Sequence, residues 1–338
     1  MNIAELGERP LLARLRDRIA AAPRQPPVDW VLVGIGDDAA VLRPERGMVV
    51  VLTTDALVED VHFRRGWSSP VDLGHRALSV NLSDLAAMGA WPRALLLSLA
   101  LPSALPLEEF DGLLDGFLAL AAGVRAPLVG GNITRSPGPM LIDVTAMGTV
   151  HPRRLLRRAG ARPGDQVFVT GQLGAAAAGL ALRASGAPIA TLDADQQSCV
   201  RRYDRPDARL RTGVIVARNR AASACMDLSD GLADAAAQVA DASGCGVELH
   251  ATEIPVHPGV RAGAAGLDRA PLELALSGGD DYELLFAVPK RRTKVFLAAV
   301  HQAGESSVTH IGTCIRTPGA WLIDARGRTP LAGGFSHF

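Results

Sequence analysis

The stretch Gly34-Ile35-Gly36-Asp37-Asp38-Ala39-Ala40-Val41-Leu42 is the one around which the rest of the chain is organised. Apolar residues lead into it at 30–33 and leave it at 41–42, which reads as strand, tight glycine turn, strand. Two carboxylates side by side on such a turn repel, because like charges a few ångströms apart raise each other's pKa. A cation is the natural remedy. The theme recurs: Thr53-Thr54-Asp55 follows a strand, Asn81-Leu82-Ser83-Asp84 lies inside an apolar pattern, and Asp227-Leu228-Ser229-Asp230-Gly231 precedes a helix. Carboxylates from separate elements, with hydroxyl or glycine neighbours, suggest a site for several hard metal ions. Hard metals in a dry cleft point to phosphate.

Composition narrows the partners. At 338 residues the chain is too long for one typical core, and its 48% hydrophobic residues suffice for two. Lys+Arg and Asp+Glu are both 35, so a chain-wide basic field for nucleic acid is absent. Lys290 and Lys294 are the only lysines, and neither stands in the Gly-x-x-x-x-Gly-Lys context of a phosphate-binding loop. Any nucleotide phosphate must therefore be neutralised by metal ions and arginine. Cys199, Cys225, Cys245 and Cys314 lack metal or redox spacing and read as buried thiols in a reducing cytosol. Residues 1–9 carry two acids and no apolar core, unlike a signal peptide. The longest uncharged run, between 165 and 183, falls short of the roughly 18 apolar residues of a membrane span. A soluble, cytoplasmic protein is expected, with no membrane partner.

Outward from the opening stretch, helical periodicity is expected at 6–19, 70–88 and 107–122, and strands at 29–33, 39–43, 48–54, 94–101, 127–129 and 140–150. Residues 151–165 are rich in arginine, proline and glycine, and mark a domain boundary near 151. The second half predicts strands at 166–170, 223–227, 246–250, 282–288, 308–315 and 320–324. Helices are predicted at 173–185, 193–202, 207–218, 230–243 and 290–303, with a proline- and glycine-rich connection before Ser277. Strands and helices mix in both halves, so the class is α/β or α+β, in domains 1–150 and 151–338.

Each candidate also has an ordinary explanation. Asp84 falls mid-helix among apolar residues; an isolated buried carboxylate costs several kcal/mol or protonates, whereas metal ligation offsets the burial. Asp37, Asp38 and Asp55 sit at strand–loop junctions and could each be turn formers. Asp227 or Ser229 could cap the next helix, but capping leaves Asp230 unexplained. Gly130-Gly131 and Gly278-Gly279 suit a hairpin, or a backbone approaching phosphate closely. His62 suits a half-buried core position, and Arg157-Arg158 a solvated basic face. Phe335 and Phe338 are terminal aromatics of a kind that dock on a core or a ligand.

Five motifs together, in this order, resemble the thiamine-monophosphate kinase family. They are residues 34–42, Thr54-Asp-Ala-Leu-Val-Glu-Asp-Val-His-Phe63, Asn81-Leu-Ser-Asp-Leu-Ala-Ala-Met-Gly89, residues 227–231, and Ser277-Gly-Gly-Asp-Asp-Tyr-Glu-Leu-Leu-Phe286. The resemblance implies the two-domain fold of aminoimidazole-ribonucleotide synthetase, a homodimer formed through N-terminal domains, and ATP-dependent phosphorylation of thiamine phosphate to thiamine diphosphate. It also implies roles for single residues. Asp38, Thr53, Thr54, Asp55, Asp84, Asn132, Asp227 and Asp230 match magnesium ligands, with Asp38, Asp84 and Asp230 central to catalysis. Gly130, Gly131, Arg158 and Ser229 match nucleotide contacts, and His62, Asp280 and Phe335 match positions that meet thiamine phosphate. Three positions depart from the family pattern: Asn132 stands for the usual Asp, Asp280 for the usual Glu, and Asp60 for a frequent Gly. The alternative is another ATP-dependent member of the superfamily. A selenophosphate synthetase-like enzyme would carry a reactive Cys near the N-terminus, but the first cysteine is Cys199. A calcium-binding structural protein would show Asp-x-Asp-x-Asp-Gly loops, which are absent.

Overall fold

A computed structural model describes residues 1–21, 28–36, 38–261 and 269–331. The chain divides into two compact units, Met1–Leu85 with Trp91–Pro152, and Ala86–Ala90 with Arg153–Phe338. The class is α/β, and both units mix sheet and helix.

In the first unit, helices α1 (Ile3–Leu6) and α2 (Glu8–Ala21) precede a small hairpin of β1 (Val31–Val33) and β2 (Val41–Leu42). The hairpin pairs Val31 with Leu42 and Val33 with Val41, so the acidic stretch is the loop it presents. Four further strands, β3 (Val49–Val58), β4 (Trp91–Pro102), β5 (Leu128–Ser136) and β6 (Leu141–Val150), form one sheet in the order β3-β6-β4-β5. Helices α3 (Pro70–Ala87) and α4 (Leu107–Gly123) supply its core, because Leu78, Leu82, Leu85, Phe110, Leu113 and Phe117 are buried with Leu57, Leu95, Leu97, Leu99, Ile142 and Val144. Strand residues alternate between faces, and β3 shows the consequence. Thr53, Asp55 and Leu57 lie on its more buried side, while Val50 and Leu52 are 54% and 67% exposed on the other. Asp111 of α4 accepts from both Arg14 and Arg18, which fastens α2 to α4.

In the second unit, β7 (Gln166–Thr170), β8 (Ala224–Asp227), β9 (Gly246–His250), β10 (Leu284–Val288), β11 (Val308–Ile315), β12 (Gly319–Asp324) and β13 (Gly327–Pro330) form a sheet in the order β13-β12-β9-β11-β7-β10-β8. The helices are α5 (Ala175–Ala184), α6 (Ala194–Asp204), α7 (Leu210–Arg218), α8 (Leu232–Ser243), α9 (Pro271–Ser277) and α10 (Thr293–Ala303). One sheet face packs Val167, Val169, Met226 and Leu285 against Leu232, Ala236 and Val239 of α8. The other presents Phe168 and Phe286 to Phe296 of α10, with ring centroids 5.0 and 5.2 Å apart. No helix among the described residues is long and apolar enough to cross a membrane.

The structure corrects three expectations. The strand expected at 127–129 runs on to Ser136, because its edge pairs in parallel with β4 from Leu95 to Pro102; Gly130, Gly131 and Asn132 are thus inside a strand. The connection before Ser277 contains α9, opened by Pro271 in its first turn, where the missing proline N–H has no partner to lose. A further strand, β13, returns antiparallel to β12 after the turn at Ala325-Arg326.

Candidate active site

In the first unit the pleat sorts the candidates. Thr53 donates its hydroxyl to Oδ2 of Asp84, so these two meet between β3 and α3, and Asp55 follows Thr53 on the same side. Asp84 is half-buried on α3, whose neighbouring residues Ser83 and Leu85 are fully buried. Thr54 points to the opposite face. Its hydroxyl lies 3.0 Å from Oδ1 of Asp143, and 3.2 Å from both the Val144 carbonyl and the Thr145 hydroxyl. Asp143 is opposite Ser98, and Ser98 is opposite Asn132, so Asn132 shares this second face and not that of Asp84. A cleft of about 690 Å³ on this face is lined by Asp38, Leu52, Ser98, Gly130, Asn132 and Thr145, among others. It brings Asp38 together with Asn132. Sequence reasoning passed over Asp143; its alternation with Ile142 and Val144 on β6 was the available signal.

Gly131 has φ 151°, and a Cβ there would come within 1.9 Å of the Leu97 carbonyl oxygen. Its lack of a side chain is thus required by close approach to β4, whatever else approaches it. His62 sits in the turn after β3, where its Nδ1 accepts the Val58 N–H at 3.0 Å and the proton of the neutral ring falls on Nε2. Asp60, in the same turn, has φ 67°, which explains why a glycine suits this position and why Asp, tolerant of that region, can replace it. Asp37 and the aromatics Phe335 and Phe338 lie outside the described residues.

In the second unit two loops are laced together beyond the ends of β8 and β10. Leu228 N–H donates to the Glu283 carbonyl at 2.9 Å, Tyr282 N–H to Leu228 at 3.0 Å, and Asp280 N–H to Ser229 at 2.7 Å. Gly279, at φ 67°, rests with its Cβ direction 2.8 Å from the Ser229 carbonyl oxygen. The lacing sets Asp227, Ser229 and Asp230 beside Asp280. Helix α8 begins after Gly231, which serves as its N-cap without any side-chain hydrogen bond, so the capping explanation of Asp227 and Ser229 fails. Asp227 is buried at the end of β8; Asp230 is half-buried, its Oδ2 3.5 Å from the Ser229 hydroxyl. Arg158 is exposed and donates to Oε1 of Gln238 on α8 at 2.5 Å.

Two carboxylates beneath this loop escaped the sequence reading of roles. Glu283 is 0% exposed and accepts from Arg209 Nε at 2.7 Å, Arg209 Nη2 at 2.5 Å, Arg202 Nη1 at 3.1 Å and the Thr170 hydroxyl at 2.6 Å. Burial alone would raise its pKa, but the arginines and Thr170 more than offset this and hold it below the usual value. Asp281 accepts from the N–H groups of Gly174 at 2.6 Å and Ala176 at 3.3 Å, at the start of α5. Burial dominates here and pushes its carboxyl up to about 7 despite those amides. These groups anchor the loop at Asp281 and Glu283 and leave Asp280, just before them, half-buried.

The donor set fits magnesium. Every candidate ligand presents oxygen, and Mg²⁺ is commonly held by one or two carboxylates together with water and substrate phosphate. Among the described residues no three His, Cys, Asp or Glu side chains gather closely enough to hold an ion by themselves.

Two domain families match the chain: AIR synthase related protein, N-terminal domain, at residues 36–150, and AIR synthase related protein, C-terminal domain, at 162–323. Thiamine-monophosphate kinase of Bacillus subtilis is 35% identical over 90% of this chain and 93% of its own. That of Salmonella typhimurium is 38% identical over 88% and 87%. Among solved structures, thiamine-monophosphate kinase from Stenotrophomonas maltophilia superposes with a TM-score of 0.80 at 36% identity, covering 92% of this chain and 95% of that one. AaThiL complexed with AMPPCP and TMP gives 0.77 at 32% identity, over 100% and 99%. With the ordered motifs, the laced acidic loops and likeness along its whole length, the chain belongs to the AIR synthase related family and, within it, to the thiamine-monophosphate kinases.

Proposed function

We propose that this kinase transfers the terminal phosphoryl group of ATP to thiamine phosphate in a single in-line step assisted by several magnesium ions. The observation that carries the reading is Asp84, a half-buried carboxylate in the last turn of α3 that accepts the Thr53 hydroxyl of β3. An oxygen of the acceptor phosphate attacks the γ-phosphorus, the bond from that phosphorus to the bridging oxygen breaks, and ADP leaves. The acceptor phosphate is already largely dianionic near pH 7, its second pKa being about 6, so no general base has to remove a proton. The catalytic task is positioning and charge neutralisation. Bound magnesium supplies the positive charge that lets two polyanions approach.

Within this reading each residue has a task. Thr53, Asp55 and Asp84 on one side of β3, Thr54 and Asn132 on the other, Asp38 in the hairpin loop, and Asp227 and Asp230 in the second unit would hold the cations. Gly130, Gly131, Ser229 and Arg158 would meet the nucleotide, the last supplying positive charge in a chain whose only lysines, Lys290 and Lys294, lie outside a phosphate-binding loop pattern. His62 and Asp280 would meet the acceptor, joined by Phe335. Residues 1–150 and 151–338 would form the two functional domains. The exposed Val50, Leu52 and Leu96 would be covered by a second copy, and a homodimer is part of this reading. Sedimentation equilibrium finding only monomer would remove that part of the reading.

The reaction is tested with magnesium-ATP and thiamine phosphate, expecting ADP and thiamine diphosphate in equal amounts. ADP formed without thiamine diphosphate would refute it. A chiral γ-thiophosphate separates the mechanisms: one in-line transfer inverts phosphorus, whereas a phosphoenzyme intermediate retains configuration.

A further inference from the structure

Tyr282 has no role in the reading so far. Its backbone is left-handed at φ 49°, and so is that of Asp280 at φ 60°. Side chains with a Cβ seldom adopt this region, and they persist there only where the surroundings over-determine them. Here they do. The N–H groups of 280 and 282 are held by Ser229 and Leu228, Asp281 between them is fixed on the first amides of α5, and Glu283 is clamped by Arg202 and Arg209. The double bend turns the side chains of 280 and 282 toward each other. The Tyr282 ring is buried, and its hydroxyl donates to Oδ1 of Asp280 at 3.0 Å.

We infer that Tyr282 is the positioning residue of the acceptor site: its buried ring and hydroxyl set the direction in which the Asp280 carboxylate meets thiamine phosphate. The inference rests on the reading of Asp280 as an acceptor contact. A carboxylate receiving an N–H or facing a cationic ring does so along preferred directions, so fixing the rotamer in advance removes an ordering cost from binding. Asp281 and Glu283 point into their own anchors, and the Ser229 carbonyl accepts the Asp280 N–H.

Tyr282→Phe keeps the ring and removes the hydroxyl. The KM for thiamine phosphate should rise several-fold, up to about tenfold, the size expected for the ordering cost of one side chain. The KM for ATP should be unchanged and kcat should stay within about twofold. Asp280→Ala should raise the acceptor KM, and adding Tyr282→Phe to it should change nothing more, because the partner is already gone. Effects that add independently would overturn the inference, as would a Tyr282→Phe variant in which both KM values, kcat and thermal stability deteriorate together. If Asp280→Ala raises the acceptor KM while Tyr282→Phe does not, the acceptor reading stands and this inference alone falls. If Asp280→Ala leaves that KM unmoved, both fall. Should Tyr282→Phe not fold, Tyr282→3-fluorotyrosine keeps the shape and acidifies the hydroxyl. The acceptor KM should then change while the ATP KM does not, and an unmoved acceptor KM refutes the inference.

Discussion

Replacing Asp281 by Asn should make the protein's stability markedly less sensitive to rising pH. The carboxyl is fully buried, and its pKa is pushed up from an ordinary 3.8 to about 7, chiefly by burial. A carboxyl with a raised folded pKa binds its proton more tightly in the folded state. Its contribution is therefore intact below about pH 4, is lost as pH climbs from about 4 to 7, and is flat above that range. Linkage between those two pKa values makes the wild-type chain lose on the order of 3 kcal/mol from this group between pH 5 and pH 8. Asparagine carries no such charge. Its amide oxygen can still accept the Gly174 N–H, and whatever is lost at Ala176 is the same at both pH values. Urea unfolding followed by circular dichroism at pH 5 and pH 8 measures the difference. The variant should gain on the order of 3 kcal/mol relative to wild type on going to pH 8. Parallel behaviour of the two proteins would refute the reasoning. A change of opposite sign would mean that the amides of α5 hold the carboxylate ionised.

Asp84→Asn should keep stability within about 1 kcal/mol, since the amide oxygen still accepts the Thr53 hydroxyl, yet lose roughly 100-fold in kcat if the ligand accounts for about 3 kcal/mol of transition-state stabilisation. Wild-type turnover at saturating magnesium would remove Asp84 from the site. Free thiamine should be a poor acceptor beside thiamine phosphate, because a neutral hydroxyl needs a base and the Nδ1 of His62 is engaged by the Val58 N–H; comparable rates would point to another kinase chemistry. Asn132→Asp should shift the magnesium titration of activity to lower concentration, since a carboxylate adds charge where the amide has only a dipole. An unchanged titration would mean that residue 132 does not meet the metal.

Local signals made much of the fold legible. Helix α3 was readable because Leu78, Leu82 and Leu85 repeat at helical spacing, and the hairpin because Gly34 and Gly36 interrupt two apolar runs. Strand β5 was cut short because Gly130 and Gly131 look like a stop, and only the waiting edge of β4 overrides that propensity. Likewise the acidic motifs exposed their own residues but not their supports. Glu283 meets Arg209 across 74 residues of sequence and Thr170 across 113, and no local pattern announces such a pairing. The visible clue was one glutamate inside the apolar run 282–288.

Parity is the other part that sequence alone could not supply. Thr53, Thr54 and Asp55 read as one cluster of donors, but a pleated strand must send the middle residue to the opposite face. Thr54 accordingly meets Asp143, while Thr53 meets Asp84. Asn132 reads as the neighbour of those aspartates only until the register Asn132–Ser98–Asp143 is known, which carries it to the face of Thr54. Three adjacent residues thus lie on two faces of the sheet, Thr53 and Asp55 on the side of α3 and Thr54 on the side of Asp143 and Asn132. Lost charge at Asn132 should weaken its own face and leave the Thr53–Asp84 face untouched. The two substitutions already described separate these faces: Asn132→Asp moves the metal requirement with little change in the maximal rate, whereas Asp84→Asn lowers the maximal rate itself. If both substitutions altered the same parameter, the division of the donors by strand face would have no functional meaning.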